Sequence, residues 1–265
     1  MKFSYVLPDP ASYRSPDAFV ADVACMKEIG YDAIELQIAD PADTDESNLQ
    51  RILDEVGFDL IAIQTGTTYY SHGNCLSSPD AAVRKRTIDL LNRFVEFAAR
   101  FSSILVFGSL QGRTTDEPEY PVGMGRIVEA VSKVGKYATV KGVVLAYEPV
   151  NHLETAYCNT IEQVEHVVRT LNLPGVQMMI DTFHMNIEEQ SMTDCFRDIK
   201  DLIKHVHLSD TNRDILGRGH WDCQAFFETL REIDYDGYCS VGVYNTRSET
   251  TECMKRCMDS LSLFQ

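Results

Sequence analysis

Three runs in the second half of the chain, GVVLAYE (142–148), VQMMID (176–181) and KHVHLS (204–209), decide its reading. Each is short and apolar, and longer stretches with helical spacing separate them, which is the pattern of buried parallel strands joined by crossover helices. The rhythm continues outward from them. KFSYVL (2–7), DAIELQI (32–38), DLIAIQT (59–65) and SILVFG (103–108) precede the three runs, and YCSVGVY (238–244) follows. Ser15-Pro16 and Ser78-Pro79 each place a capping residue before a proline suited to a first helical turn. Thr160 with Gln163 reads as a capping box. Between 79 and 101, Val83, Leu90, Leu91, Phe94, Val95 and Ala98 fall at helical spacing. Eight such units in 265 residues average about 33 residues each, which suits a (β/α)8 TIM barrel. No Pro/Gly/Ser-rich linker interrupts them, so residues 1–265 read as a single domain. A doubly wound open sheet is the competing architecture, but neither GxGxxG after the first strand nor GxxxxGK[ST] occurs.

Side chains alternate across a strand, so parity sorts barrel interior from helix-facing layer. In the fifth strand Val143, Leu145 and Tyr147 share the helix-facing side, and Val144, Ala146 and Glu148 point inward. In the sixth, Val176, Met178 and Ile180 face the helices and Asp181 lies opposite them. In the seventh, Val206 and Leu208 face outward, which leaves His205 and His207 inward. Glu148, Asp181 and His207 therefore converge on the C-terminal mouth, where barrel enzymes keep their active sites. Two carboxylates brought together repel one another, and a divalent cation removes that repulsion. A Glu/Asp/His donor set favours Mn²⁺, Mg²⁺, Co²⁺ or Zn²⁺ over a thiophilic metal. Glu35 and Gln64 are also inward by parity and are candidates for the pocket wall or for structural roles.

Composition narrows the partners. The 24 basic and 40 acidic residues give a net charge of −16, which opposes phosphate backbones and anionic lipids. Neither nucleic acid nor a membrane is expected as a partner, and no stretch approaches a membrane span. The N-terminus lacks the apolar core and small-residue site of a secretory signal. Eight cysteines without a close CxxC pair read as reduced thiols, and with the other features they point to a cytoplasmic protein.

EPVNHLET (148–155), DTFHMNIEE (181–189), HVHLSDTNR (205–213) and GRGHWD (217–222), with GYDAIEL (30–36) upstream, resemble the metal-dependent sugar isomerase/epimerase family built on a xylose isomerase-like barrel. The likeness is nearest to ketose 3-epimerases of the D-tagatose/D-psicose type. It implies Mn²⁺ or Co²⁺ held by Glu148, Asp181, His207 and a further glutamate from the eighth strand. It also implies that Glu154, His184 and Arg213 hydrogen-bond a sugar substrate around its carbonyl. The implied chemistry removes the proton beside the carbonyl, passes through a cis-enediolate, and returns a proton from the other face by a second carboxylate.

The eighth strand departs from that pattern. GYCSVGVY places Gly242 where the resemblance expects the second glutamate, so the second acid–base group is absent and the expected metal site has three protein ligands plus water, weaker than the family norm. Other readings stay open on the sequence: a hydroxypyruvate isomerase-like, inosose dehydratase-like or sugar-phosphate enzyme of the same fold, or a non-catalytic sugar- or metal-binding relic. An apurinic endonuclease of the endonuclease IV type is disfavoured, because IQTGTTY and VFGSLQG carry no histidine at the third and fourth strand ends. The Tyr69-Tyr70 pair reads as a lid or a contact between copies of the chain in a homo-oligomer.

Overall fold

Parallel strands cannot be joined by a hairpin, so each needs a crossover. The computed structural model describes residues 1–264 and supplies one after every strand. The strands are β1 (Lys2–Pro8), β2 (Ala33–Gln37), β3 (Leu60–Gln64), β4 (Ile104–Phe107), β5 (Leu145–Tyr147), β6 (Val176–Asp181), β7 (Ile203–Leu208) and β8 (Tyr238–Val241). All pair in parallel with their sequence neighbours, and β8 returns to β1, closing a single-domain (β/α)8 barrel. Around it lie α1 (Pro16–Ile29), α2 (Glu46–Val56), α3 (Thr67–His72), α4 (Ala81–Phe101), α5 (Tyr120–Lys141), α6 (Ile161–Leu171), α7 (Thr182–Glu188), α8 (Cys223–Glu232) and α9 (Thr250–Leu261). No helix is long and apolar enough to cross a membrane among the described residues.

The local signals act as their chemistry requires, with one exception. Ser15 accepts the Ala18 N–H and Pro16 opens α1, while Thr160 and Gln163 make both bonds of the capping box at α6. Ser78 does not cap α4. Asp80, two residues later, takes that role by accepting the Ala82 N–H at 2.8 Å, and Ser78 Oγ accepts the Asp80 N–H in the preceding turn.

The barrel interior has two halves of different character. On β3 to β6 it is filled by Ala62, Val106, Ala146 and Met179, a small apolar cluster separate from the main core. From β7 round to β2 it is polar, with His205, Ser240, Ser4 and Glu35 all buried. Ser4 and Ser240 share a hydroxyl–hydroxyl bond of 2.5 Å. The helix-facing side chains Val143, Leu145, Tyr147, Val176, Met178, Ile180, Val206 and Leu208 join the main core, as parity requires. The polar half matters for function, because it supports one of the residues at the mouth.

Candidate active site

Glu148 follows the last residue of β5, and its N–H donates to the Phe107 carbonyl at 2.9 Å, which ties it to β4. Asp181 closes β6 and caps α7, its Oδ1 accepting the Phe183 N–H at 2.7 Å. It stands opposite His207 in the β6–β7 register. His207 Nδ1 lies 3.7 Å from Glu148 Oε1 and 3.7 Å from Asp181 Oδ2. The structure thus brings together the three residues expected to converge. His184, on α7, adds its Nε2 at 3.7 Å from Glu148 Oε1 and 4.0 Å from Asp181 Oδ2.

Those separations exceed hydrogen-bond length. Glu148 therefore directs a carboxylate toward two imidazoles without bonding to either. Gly108 makes room for it: a Cβ there would lie 2.7 Å from Glu148 Oε2 and 2.5 Å from Val150 Cγ2. Two carboxylate oxygens and an imidazole nitrogen spaced in this way suit a divalent cation of hard or borderline character. Glu148, Asp181 and His184 also form a cluster able to hold an ion, so the two histidines compete geometrically for the same pair of carboxylates.

What distinguishes the histidines is their other nitrogen. Glu35, with 0% of its surface exposed, accepts from His207 Nε2 at 2.9 Å and from His205 Nε2 at 2.8 Å. With Nε2–H committed to Glu35, Nδ1 is the nitrogen that His207 offers to the mouth, the arrangement by which a buried carboxylate orients a metal-binding imidazole. Burial opposes the ionised form of Glu35, but the charges of His207 and His205 outweigh it and hold the carboxyl well below its usual range. Burial likewise opposes protonation of His207, yet Glu35, Asp181 and Glu148 hold it well above the ordinary imidazole value. For His205 burial prevails and lowers the value. Asp181 is pulled down to about 2: burial pushes it up, and His184, His207 and Arg213 more than reverse that.

His184 is fixed from behind. The Asn151 N–H donates to His184 Nδ1 at 3.3 Å, and Asn151 Nδ2 lies 2.6 Å from the same atom. Its Nε2 is therefore the protonated nitrogen, and it sits 3.0 Å from Arg213 Nη2. Two donors facing each other form a corner that an oxygen-rich ligand would satisfy, and Arg213 Nε is buried without a partner among the described residues. The guanidinium is clamped between the rings of Phe183 (4.1 Å) and Tyr244 (5.0 Å). Arg213 itself has φ +56°, held by the Arg213 N–H to Asp210 O bond and by the N–H groups of Tyr244 and Asn245 on its carbonyl. Left-handed backbone at a non-glycine residue costs of order 1–3 kcal/mol and clusters at functional sites. Glu154 completes this side, 3.7 Å from Arg213 Nη1 and accepting from Asn151 Nδ2 at 3.2 Å. All six residues open on one cleft, with Gln37, Gln64 and Tyr244 on its far wall.

β8 ends at Val241, so Gly242 lies just past the strand rather than within it. A Cβ at 242 would come 2.6 Å from Tyr244 Cε2, 2.9 Å from its hydroxyl and 3.0 Å from Ser209 Oγ. The tyrosine ring occupies the space into which a side chain from 242 would grow, and Gly242→Glu must therefore displace Tyr244. Parity carried past the strand end marks Tyr244 as inward, and that is the signal by which it could have been found from sequence. Glu35 supports the site from beneath the cleft instead of lining it. Glu249 stands exposed at the start of α9, and His72 and His220 are exposed. His152 pairs with Glu188 outside the cleft at 2.6 Å. All eight cysteines are free. Tyr69 and Tyr70 meet edge to face, and Tyr70 lines the rim while 56% exposed.

The model of the xylose isomerase-like TIM barrel matches residues 23–261. The ketose 3-epimerase of Arthrobacter globiformis is 32% identical over 213 residues, spanning 80% of this chain and 72% of the relative. The chain belongs to the xylose isomerase-like TIM barrel family. Its relatives place it among enzymes of the ketose 3-epimerase type. The L-ribulose 3-epimerase of Mesorhizobium japonicum is also 32% identical, over 80% of this chain and 71% of its own length. Among solved structures, D-allulose 3-epimerase from Methylomonas sp., in complex with D-allulose, superposes over all of this chain and 97% of its own with a TM-score of 0.87. At 21% identity that likeness speaks for the barrel alone.

Proposed function

We propose that this family member is a divalent-metal-dependent ketose epimerase that inverts carbon 3 of a free sugar. The observation that carries the reading is Glu148, a carboxylate without a hydrogen bond that faces the cleft beside Asp181 and His207. Glu148, Asp181 and His207 Nδ1 would hold the cation, with solvent completing the coordination sphere because Gly242 offers no donor. When bound, Mn²⁺ or a similar ion supplies Lewis-acid polarisation of the sugar's carbonyl and neighbouring hydroxyl oxygens.

The chain's own groups do the rest. Arg213 and His184 donate toward the oxygen next to the carbon that loses its proton, where negative charge develops. Glu154, 3.7 Å from the Arg213 guanidinium, accepts from a sugar hydroxyl. Glu148 removes the proton from one face of the carbon. No cluster of Arg and Lys lines the cleft to meet a phosphate, which favours an unphosphorylated ketose over a sugar phosphate. The test is deuterium incorporation at carbon 3 of D-fructose in D2O, with protein either stripped by EDTA or supplied with Mn²⁺. Incorporation only with the metal supports the reading. Tight sugar binding with no incorporation in either sample would leave a binding relic instead.

Metal uptake should depend on pH with a definite sign. His207 is held protonated above the ordinary imidazole value, and the cation needs its Nδ1 free, so binding at pH 7 expels about one proton. Mn²⁺ affinity should rise about tenfold per pH unit while His207 remains protonated in the metal-free protein. Calorimetry at pH 7 in two buffers of different ionisation enthalpy reads the proton directly. Equal heats in both buffers would contradict the protonated state.

A further inference from the structure

The groups in the mouth that can exchange a proton are not spread evenly. The carboxylates Glu148, Glu154 and Asp181 and the imidazoles His184 and His207 all come from β5, β6, β7 and the segments that follow β5 and β6. The wall from β8 round to β3 offers the amides of Gln37 and Gln64, which do not titrate, together with hydroxyls. Of those hydroxyls, Thr65 Oγ1 is committed to the Val106 carbonyl at 3.0 Å, and Tyr70 sits at the exposed rim under the Arg113 guanidinium. Aliphatic hydroxyls are also far weaker acids than a phenol. Tyr244 is the phenol turned inward on that wall: the residue is 39% exposed, yet its hydroxyl reaches across the barrel to Gln64 of β3.

Inverting a carbon by proton transfer needs one acid–base group on each face. We propose that Tyr244 is the second acid–base residue, giving its hydroxyl proton to the face of carbon 3 opposite Glu148. The inference rests on the epimerase reading above. Three features of the surroundings suit a phenol to that task. Gly242 leaves the ring its place, since any Cβ there would strike Cε2. Gln64 meets the hydroxyl with both ends of its amide, Nε2 at 3.2 Å and Oε1 at 3.3 Å, so it can accept from the phenol and donate to the phenolate. The Arg213 guanidinium lies 5.0 Å from the centre of the ring, a fixed positive charge over the phenol that turns negative. Burial pushes the phenol up to about 12 against the pull of His207 and Arg213, which keeps it protonated and ready to donate at neutral pH.

The step balances without a further reagent. Glu148 takes the carbon 3 proton and the C–H electron pair enters the enediolate. Carbon 3 then forms its new C–H bond with the phenolic proton as the O–H bond breaks, and the electron pair stays on the tyrosinate. The carboxyl proton of Glu148 passes through solvent to the tyrosinate and restores the starting state. In the other direction the tyrosinate removes the proton and the Glu148 carboxylic acid returns one.

The test uses Tyr244→Phe, which keeps the ring over Arg213 and removes only the hydroxyl. Mn²⁺-supplied protein is incubated with D-fructose in D2O, with deuterium at carbon 3 read by NMR and D-allulose formation read by chromatography. The expected result is that the variant still exchanges carbon 3 with retention, through Glu148, while D-allulose formation falls by about 10²–10⁴-fold. Epimerisation by the variant at the unmodified rate would overturn the proposal, and so would loss of exchange and epimerisation in equal proportion. An unmodified protein that neither exchanges nor epimerises would remove the epimerase reading itself, an outcome distinct from the other two.

Discussion

Replacing Glu148 with glutamine should lower deuterium exchange at carbon 3 by about 10²–10⁴-fold, the usual worth of a positioned general base. The amide keeps the size of the side chain and an oxygen, so it can still approach a cation, but it cannot take a proton at neutral pH. The fold should tolerate the change. Glu148 makes no side-chain hydrogen bond, approaching His184 and His207 only to 3.7 Å, and the attraction to His207 lost with its charge is offset by relief of repulsion with Asp181, which is 2% exposed. Thermal denaturation should therefore show a melting temperature close to that of the unmodified protein, alongside the collapse of exchange. A variant that exchanges at the unmodified rate would show that another group is the base.

Glu35→Gln should have the opposite profile. The carboxylate lies outside the cleft and touches no ligand, but it is fully buried between two imidazoles that it bonds at 2.8 and 2.9 Å. Removing its charge takes from the His207 imidazolium the counter-ion it is hydrogen-bonded to, leaving Asp181 and Glu148 at 3.7 Å, and breaking a buried pair costs up to about 3–5 kcal/mol. It also frees the imidazole to rotate or change tautomer, and loss of an orienting carboxylate of this kind lowers metal affinity by about 10–100-fold. Urea denaturation and Mn²⁺ titration measure the two effects separately. Stability and affinity both equal to those of the unmodified protein would show that Glu35 neither stabilises nor aims His207. Read together, the two variants separate a group that acts on substrate from one that acts through a neighbour.

The sequence carried most of the fold because alternation along a strand is local. Glu148, Asp181 and His207 each show their parity within five or six residues, and the barrel turns that parity into convergence at one rim. Ser15, Thr160 and Gln163 are legible for the same reason, since a cap acts within a single turn. Ser78 misleads because Asp80 competes for the same helix start, and only the backbone path shows which side chain faces the free N–H groups. The long-range partners are a different matter. Glu35 reaches His205 and His207 across a closed barrel, from positions 170 and 172 residues apart, and nothing near any of the three specifies the pairing. The same limit hid Asn151 behind His184. Tyr244 lies between these cases: its parity is local, but its reach to Gln64, 180 residues away, exists only because the barrel closes.

Anomalous diffraction from crystals soaked in Mn²⁺ tests the central claim most directly, because it locates the ion without reference to activity. The account predicts one peak in the mouth, about 2.0–2.3 Å from a Glu148 oxygen, an Asp181 oxygen and His207 Nδ1, with His207 Nε2 still bonded to Glu35. No peak there, or an ion held through His184 while His207 remains paired with the carboxylates, would contradict it.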